Sequence, residues 1–211
     1  MEKKLALEHK RLQAQYPEAL VEVWAMDQHR LGLKPIQRRV WVQQGEPPIA
    51  AVNWRFQWLW LYGFVEPESG ETYWWILPQV NIDLFNKALT DFAQHFGVGT
   101  HKQIILVLDQ AGWHTSDKVQ SPEGIHLLFI PSHSPELQPA ERLWPLTNEP
   151  IANRSFKSLD ELEELLFHRC RNLLTQQDLI SHLTRFHWWP TTIAATVSDR
   201  TSTLQVRCNR T

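Results

Sequence analysis

Residues 103–109, QIILVLD, form an unbroken aliphatic run that closes on an acid. A continuous apolar run of this kind marks a strand covered on both faces, as in a sheet packed between helices. GIHLLFIP at 124–131 is a second such run. Upstream, NIDLFNKALTDFAQHFG at 81–97 predicts an amphipathic helix. Leu84, Phe85, Leu89, Phe92 and Phe96 line one face, Asn81 or Asp83 caps it, and Gly97 ends it. WLWLYGFVEPESGETYWWILPQ at 58–79 predicts a hairpin, two β-rich runs around Glu-Pro-Glu-Ser-Gly. VEVWAM at 21–26 predicts a short strand ending at Asp27. RRVWVQQG at 38–45 alternates and predicts another, stopped at Gly45. Residues 1–16 read as a helix through Leu5, Leu12 and Tyr16. A further helix is expected from about Pro139, and one more over 158–174, opened by a Ser158/Glu161 capping box. Strands, helix, buried strand, buried strand and helices in that order give an α/β domain with a mixed sheet. The tail beyond Pro190 is polar and aperiodic, and is expected to be flexible.

At 211 residues the chain suits one domain with short appendages, and 43% hydrophobic with 21% charged residues suits a soluble globular one. A net charge of −2 excludes a polycation. Residues 1–150 carry 13 basic against 17 acidic side chains, so any attraction for nucleic acid has to be local. Cys170 and Cys208 are too few for a disulfide scaffold or a thiolate zinc site. No apolar run reaches signal-peptide or membrane-spanning length. A reduced, cytoplasmic setting fits.

Three acids sit where open α/β sheets place their chemistry, outside strand ends. Asp27 follows the first strand, Asp109 closes QIILVLD, and Glu141 lies ten residues past the next buried run. Convergent carboxylates without thiolates suit hard cations, Mg²⁺ or Mn²⁺. Two such ions would clamp both oxygens of a phosphoryl transfer. Each acid also has a plainer reading, as a turn former, a helix cap or a residue favoured by a helix dipole.

Three strings then occur in order: AMDQHRLGLKPIQRRVWVQQGEPP, ILVLDQAGWHTS and LLFIPSHSPELQPAERLW. Over about residues 20–175 they resemble the catalytic domain of transposases of the insertion-sequence family 630, bacterial relatives of mariner elements. The resemblance implies a ribonuclease-H-like fold with a mixed five-stranded sheet flanked by helices. It divides the chain into an N-terminal helix and linker at 1–18, the catalytic domain at 19–175, and a C-terminal helix with tail at 176–211. It implies a triad of Asp27 in AMDQ, Asp109 in LVLDQ and Glu141 in QPAERLW, holding two Mg²⁺ or Mn²⁺ ions. Glu136 is the rival within the third string; the family's catalytic acid follows the Asn-Pro position, here Gln138-Pro139, which favours Glu141. Departures from the family pattern are Gln28 for Glu, Gln110 for Asn, His133 for Tyr and Gln138 for Asn. None removes a metal-binding carboxylate.

The activity implied is metal-dependent cleavage at transposon inverted repeats and strand transfer into target DNA at TA dinucleotides. The partners implied are both DNAs, a second copy of the chain, and a helix-turn-helix segment encoded separately, since only 26 residues precede Asp27. Such a protein would associate with the nucleoid. Arg30, Lys34, Arg38 and Arg39 form the best local basic patch, and Arg142 stands beside Glu141. All five are candidate phosphate contacts, though a solvated edge strand explains the first four as well. His114 follows Asp109 by five residues and is a candidate to contact phosphate or orient a water, or else a structural cap. Trp24 and Trp41 read as core, and Trp74 and Trp75 must face opposite ways. Trp113 and Trp144 are expected beneath the site. Two other functions stay open: a non-catalytic remnant that regulates by binding DNA or a full-length transposase, and a ribonuclease-H-like nuclease.

Overall fold

The computed structural model describes residues 1–41, 43–45 and 54–190, with the backbone of 206–208. β1 (Leu20–Gly32), β2 (Trp58–Glu66) and β3 (Glu71–Leu77) form an antiparallel meander. α2 (Ile82–His95) then carries the chain across the sheet, and β4 (Lys102–Leu108) and β5 (Ile125–Phe129) run parallel to β1. The spatial order is β5-β4-β1-β2-β3, the mixed five-stranded arrangement expected of a ribonuclease-H-like domain. A short sixth strand, β6 (Val206–Cys208), pairs parallel with β3. These three residues lie in the tail expected to be flexible; 191–205 and 209–211 fall outside the described residues.

Both faces of the sheet are covered. On one face Val21, Val23, Ala25, Ile105 and Val107 meet α1 (Glu2–Gln15), α4 (Leu159–Leu173) and α5 (Gln177–Thr184). On the other, Trp24, Met26, Ile104, Leu106 and Leu108 meet Phe85, Leu89 and Phe92 of α2. This alternation is the period-2 consequence of strand geometry. Each fully buried Leu or Phe contributes about 1.5–3 kcal/mol relative to exposure. Two-sided cover also explains the tandem tryptophans: Trp74 and Trp75 point opposite ways, and both are buried.

The helix ends follow their local chemistry. The Asn81 side chain accepts the Leu84 N–H, and the Ser158 hydroxyl accepts the Glu161 N–H. At the tip of the hairpin Gly70 adopts φ +75°, and a Cβ there would lie 1.9 Å from the Gln177 carbonyl oxygen on α5. Only glycine permits this backbone shape and this approach.

Four expectations are corrected. No strand forms over 38–41 or 43–45; Val42 and 46–53 lie outside the described residues. The described residues of that stretch belong to the connection between β1 and β2 and pair with no strand. Trp41, expected in the core, is fully exposed there. The first strand does not end at Asp27 but runs on to Gly32, because β2 keeps pairing with it from Ala25 onward. The helix expected from Pro139 is a 3-10 turn over Pro139–Leu143 followed by the short α3 (Trp144–Asn148). Among the described residues no helix is long and apolar enough to cross a membrane.

Candidate active site

The parallel register of β1 and β4 aligns the two aspartates. The pairing ends at Ala25↔Val107, and Asp27 and Asp109 each lie two residues further on. They therefore stand at the same level, on the same sheet face, at the point where the ladder opens. A crevice at such an opening is where α/β sheets bind ligands. Here it is a cleft of about 350 Å³. Asp27, Asp109 and Glu141 line it together with Gln138 and the 130–135 loop. Glu136 is exposed and does not line it.

Glu141 reaches the cleft from the Pro139–Leu143 turn, which packs through Ala140 and Leu143 on the face that carries Asp27. Gln138 fastens this turn to β1. Its amide N–H donates to the Met26 carbonyl at 3.0 Å, and its own carbonyl accepts the Glu141 N–H at 3.2 Å. One residue thus links the segments that bear Asp27 and Glu141. Its Oε1 is buried without a hydrogen-bond partner.

Trp144 lies under the site, as expected, and its indole N–H donates to Asp27 Oδ2 at 2.9 Å. His29 stacks on this indole with centroids 4.9 Å apart and hydrogen-bonds the Asn148 Oδ1 at 2.9 Å. Gly63, opposite Asp27 on β2, makes room for the ring. A Cβ at Gly63 would lie 2.9 Å from Trp144 Cη2 and 3.0 Å from Trp74 Cζ3.

The carboxylates differ in character. Burial pushes Asp27 up to about 7; the Trp144 N–H opposes this, and the charges of Glu141 and Asp109 add to it. Burial also raises Glu141, whose carboxyl hydrogen-bonds Asp27, and the charge of Asp109 raises it further. Burial acts upward on Asp109 too, but His114 and the Ala111 N–H outweigh it and hold that carboxyl below its ordinary range. Asp27 and Glu141 are thus both held above the ordinary carboxylate range, beside an Asp109 held below it.

Among the described residues no three His, Cys, Asp or Glu side chains stand close enough together to ligate one ion. Asp109 Oδ1 is turned to His114, and Asp27 Oδ2 to the Trp144 indole. The donor set nonetheless fits a hard divalent cation. It is all oxygen, and mutual repulsion together with burial is what raises two of its members, a cost that a cation removes.

His114, a candidate DNA contact, is placed in the interior. It is 1% exposed, its Nδ1 meets Asp109 Oδ1 at 2.7 Å, and its Nε2 meets the Gln28 amide nitrogen at 2.5 Å. Both ring nitrogens are engaged within the protein. The other five candidates are exposed, and none of them lines the cleft. Arg30 lies over Trp58 and Trp60 at 5.3 and 5.9 Å, Lys34 over Trp54 at 5.7 Å, and Arg142 over Phe186 at 5.8 Å. Arg38 and Asn153 clasp each other, through the Arg38 N–H to Asn153 Oδ1 and the Asn153 amide to the Arg38 carbonyl. For Arg39 the structure gives exposure alone.

Gln28, Gly63, His29 and Gln138 were not singled out as site residues from the sequence. The only linear signal for the first and third is proximity to Asp27; Gly63 and Gln138 act through strand register and turn packing.

Comparison with known proteins agrees with this geometry. The uncharacterized protein y4pE/y4sA of Sinorhizobium fredii (strain NBRC 101917 / NGR234) is 34% identical over 106 residues, spanning 50% of this chain and 77% of that protein. The fold resembles the Mos1 strand transfer complex at 16% identity and TM-score 0.51. It also resembles the Mos1 mariner paired end complexes with Mn, at 14% and 0.55, and with Mg, at 16% and 0.53. Each match covers 88% of this chain but only 63%, 62% and 62% of the Mos1 chains. The family described as DDE superfamily endonuclease matches residues 22–163, a span that runs through Asp27, Asp109 and Glu141. The chain belongs to the DDE superfamily endonuclease family.

Proposed function

We propose that this domain is the catalytic part of a transposase of the insertion-sequence family 630, cleaving DNA at transposon ends and transferring the strand into target DNA. The observation that carries this reading is the convergence of Asp27, Asp109 and Glu141 on one cleft at the opening of β1 and β4. The Mos1 neighbours, solved with Mn and with Mg as paired-end and strand transfer complexes, support divalent metal and DNA as its partners. A second copy of the chain, and a helix-turn-helix segment that recognises the ends, complete the proposal.

In this reading Asp27, Asp109 and Glu141 hold two Mg²⁺ or Mn²⁺ ions. When bound, the ions lower the pKa of water and neutralise charge on the scissile phosphate. Asp27, on β1, would serve beside Asp109 and Glu141 as an oxygen donor to these ions. Asp109, already ionised, offers one oxygen without first losing a proton. Asp27 and Glu141, both held above their ordinary range, would have to be ionised to hold cations, so metal affinity is expected to rise with pH. Trp144 holds Asp27 by one oxygen and leaves the other to the cleft. No side-chain nucleophile is required. Arg30, Lys34, Arg38, Arg39 and Arg142 are proposed to steer the DNA backbone from outside the cleft.

The test is cleavage of a duplex bearing the element's terminal repeat, with Mn²⁺ or Mg²⁺. Product is expected only with metal, and none with Asp109→Asn or Glu141→Gln. Glu136→Gln is expected to cleave normally. Cleavage that survives Glu141→Gln, or stops with Glu136→Gln, refutes the assignment.

A further inference from the structure

Gln28 follows Asp27 on β1, so its side chain leaves the opposite face of the sheet. There it meets Trp113 and His114, and His114 in turn meets Asp109. The hydrogen-bond directions along this row are forced. An indole N–H only donates, and that of Trp113 points at Gln28 Oε1 across 3.3 Å. This orients the amide, so that Gln28 Nε2 is the donor to His114 Nε2 at 2.5 Å. His114 Nε2 is then the ring's acceptor, and Nδ1 carries the hydrogen. Nδ1–H donates to Asp109 Oδ1 at 2.7 Å.

The Ala111 N–H reaches the same carboxylate oxygen at 3.2 Å. Both donors converge on Oδ1, which leaves Oδ2 as the oxygen that Asp109 offers to the cleft it lines. The His114 ring is packed against Phe85 at 4.6 Å between centroids and is 1% exposed, so solvent does not replace either partner. A row of this kind, ending on a carboxylate at the site, resembles the outer hydrogen bonds that orient metal ligands in proteins.

We propose that Gln28, acting through His114, is a positioning residue that sets which oxygen of Asp109 meets a divalent cation. The proposal rests on the metal-site reading above, since Asp109 has to be a ligand for its orientation to matter. It assigns a task to two residues on the far side of the sheet from Asp27. It also explains why a histidine so close to the site is turned away from solvent.

The experiment uses the full chain labelled with ¹⁵N-histidine, read by long-range ¹H–¹⁵N correlation without metal and then titrated with Mn²⁺ by electron paramagnetic resonance. His114→Gln assigns the His114 signals. The unsubstituted chain is expected to show the Nδ1–H tautomer at His114. Gln28→Glu keeps the shape but presents an acceptor to Nε2, drawing a hydrogen onto it, and Gln28→Met removes the donor altogether. Both are expected to change the His114 signals and weaken Mn²⁺ binding about 10- to 100-fold, with cooperative melting retained. An Nε2–H tautomer in the unsubstituted chain overturns the hydrogen-bond row. A changed tautomer with unchanged Mn²⁺ affinity in a folded variant overturns the positioning role. Mn²⁺ that does not bind the unsubstituted chain, or binds Asp109→Ala equally well, overturns the metal-site reading and the positioning role with it. The metal-free spectrum tells these failures apart, because it reports the row independently of any cation.

Discussion

Replacing Asp27 with Asn should stabilise the metal-free protein, and should do so most at alkaline pH. Asp27 is 8% exposed and its carboxyl is pushed up to about 7. An unperturbed Asp titrates near 3.9, and each tenfold difference in proton affinity corresponds to about 1.4 kcal/mol, so the ionised form costs the folded state up to about 4 kcal/mol. The folded state holds this proton more tightly than the unfolded chain. Between about pH 4 and pH 7 it therefore binds more protons, and stability falls as pH rises. Below that window the penalty is absent, and above it the penalty is complete. Asn keeps the shape and an oxygen for the Trp144 N–H, but never ionises. The gain from Asp27→Asn should be about 1.5 kcal/mol at pH 5 and up to about 4 kcal/mol at pH 8. At about 2–4 °C per kcal/mol for a chain of this size, the melting temperature should rise by about 3–6 °C and about 8–16 °C respectively. Calorimetry in EDTA at the two pH values measures this directly. A gain at pH 8 no larger than at pH 5, or a loss at pH 8, would show that the carboxylate is not held in an unfavourable buried state.

Trp144→Phe removes the N–H that favours ionised Asp27. The variant should lose about 1–3 kcal/mol more at pH 8 than at pH 5 in urea denaturation. Gly63→Ala places a Cβ 2.9 Å from Trp144 Cη2, so it should cost about 1–3 kcal/mol and shift tryptophan fluorescence; an unchanged midpoint and spectrum would show that the indole has room to move. Saturating Mn²⁺ should stabilise the unsubstituted protein by about 4 kcal/mol at a thousandfold excess over its dissociation constant. The same addition should do nothing to Asp27→Asn or Glu141→Gln, as read by melting at pH 8.

Much of this molecule is legible in its sequence, for local reasons. QIILVLD and GIHLLFIP announce buried parallel strands because a strand covered on both faces needs no polar alternation. The helix over 82–95 and its Asn81 cap, and the helix over 159–173 and its Ser158 cap, follow from short-range periodicity and side-chain hydrogen bonding. The hairpin at 58–77 follows from two β-rich runs around one turn. The acids at the strand ends, with the third string, single out Asp27, Asp109 and Glu141, and the structure brings all three to one cleft.

The errors share one cause. Whether a stretch becomes a strand depends on a partner distant in sequence. RRVWVQQG alternates well, yet its described residues join no strand, while β1 runs past its apolar stretch because β2 lies alongside. Trp24 and Trp41 look alike in sequence, and only the sheet separates the buried one from the exposed one. His114 could have faced phosphate or protein, and only folding places Gln28 and Trp113 against it. The sequence by itself determined the elements whose causes lie within a few residues, and named the three candidate acids that the fold brings to one cleft. Tertiary structure alone decided the register that levels Asp27 with Asp109, the hydrogen bond from the Trp144 indole to Asp27 and the glycine that admits that ring. Those depend on atoms that meet only when β1, β2, β4 and the 139–143 turn are packed together.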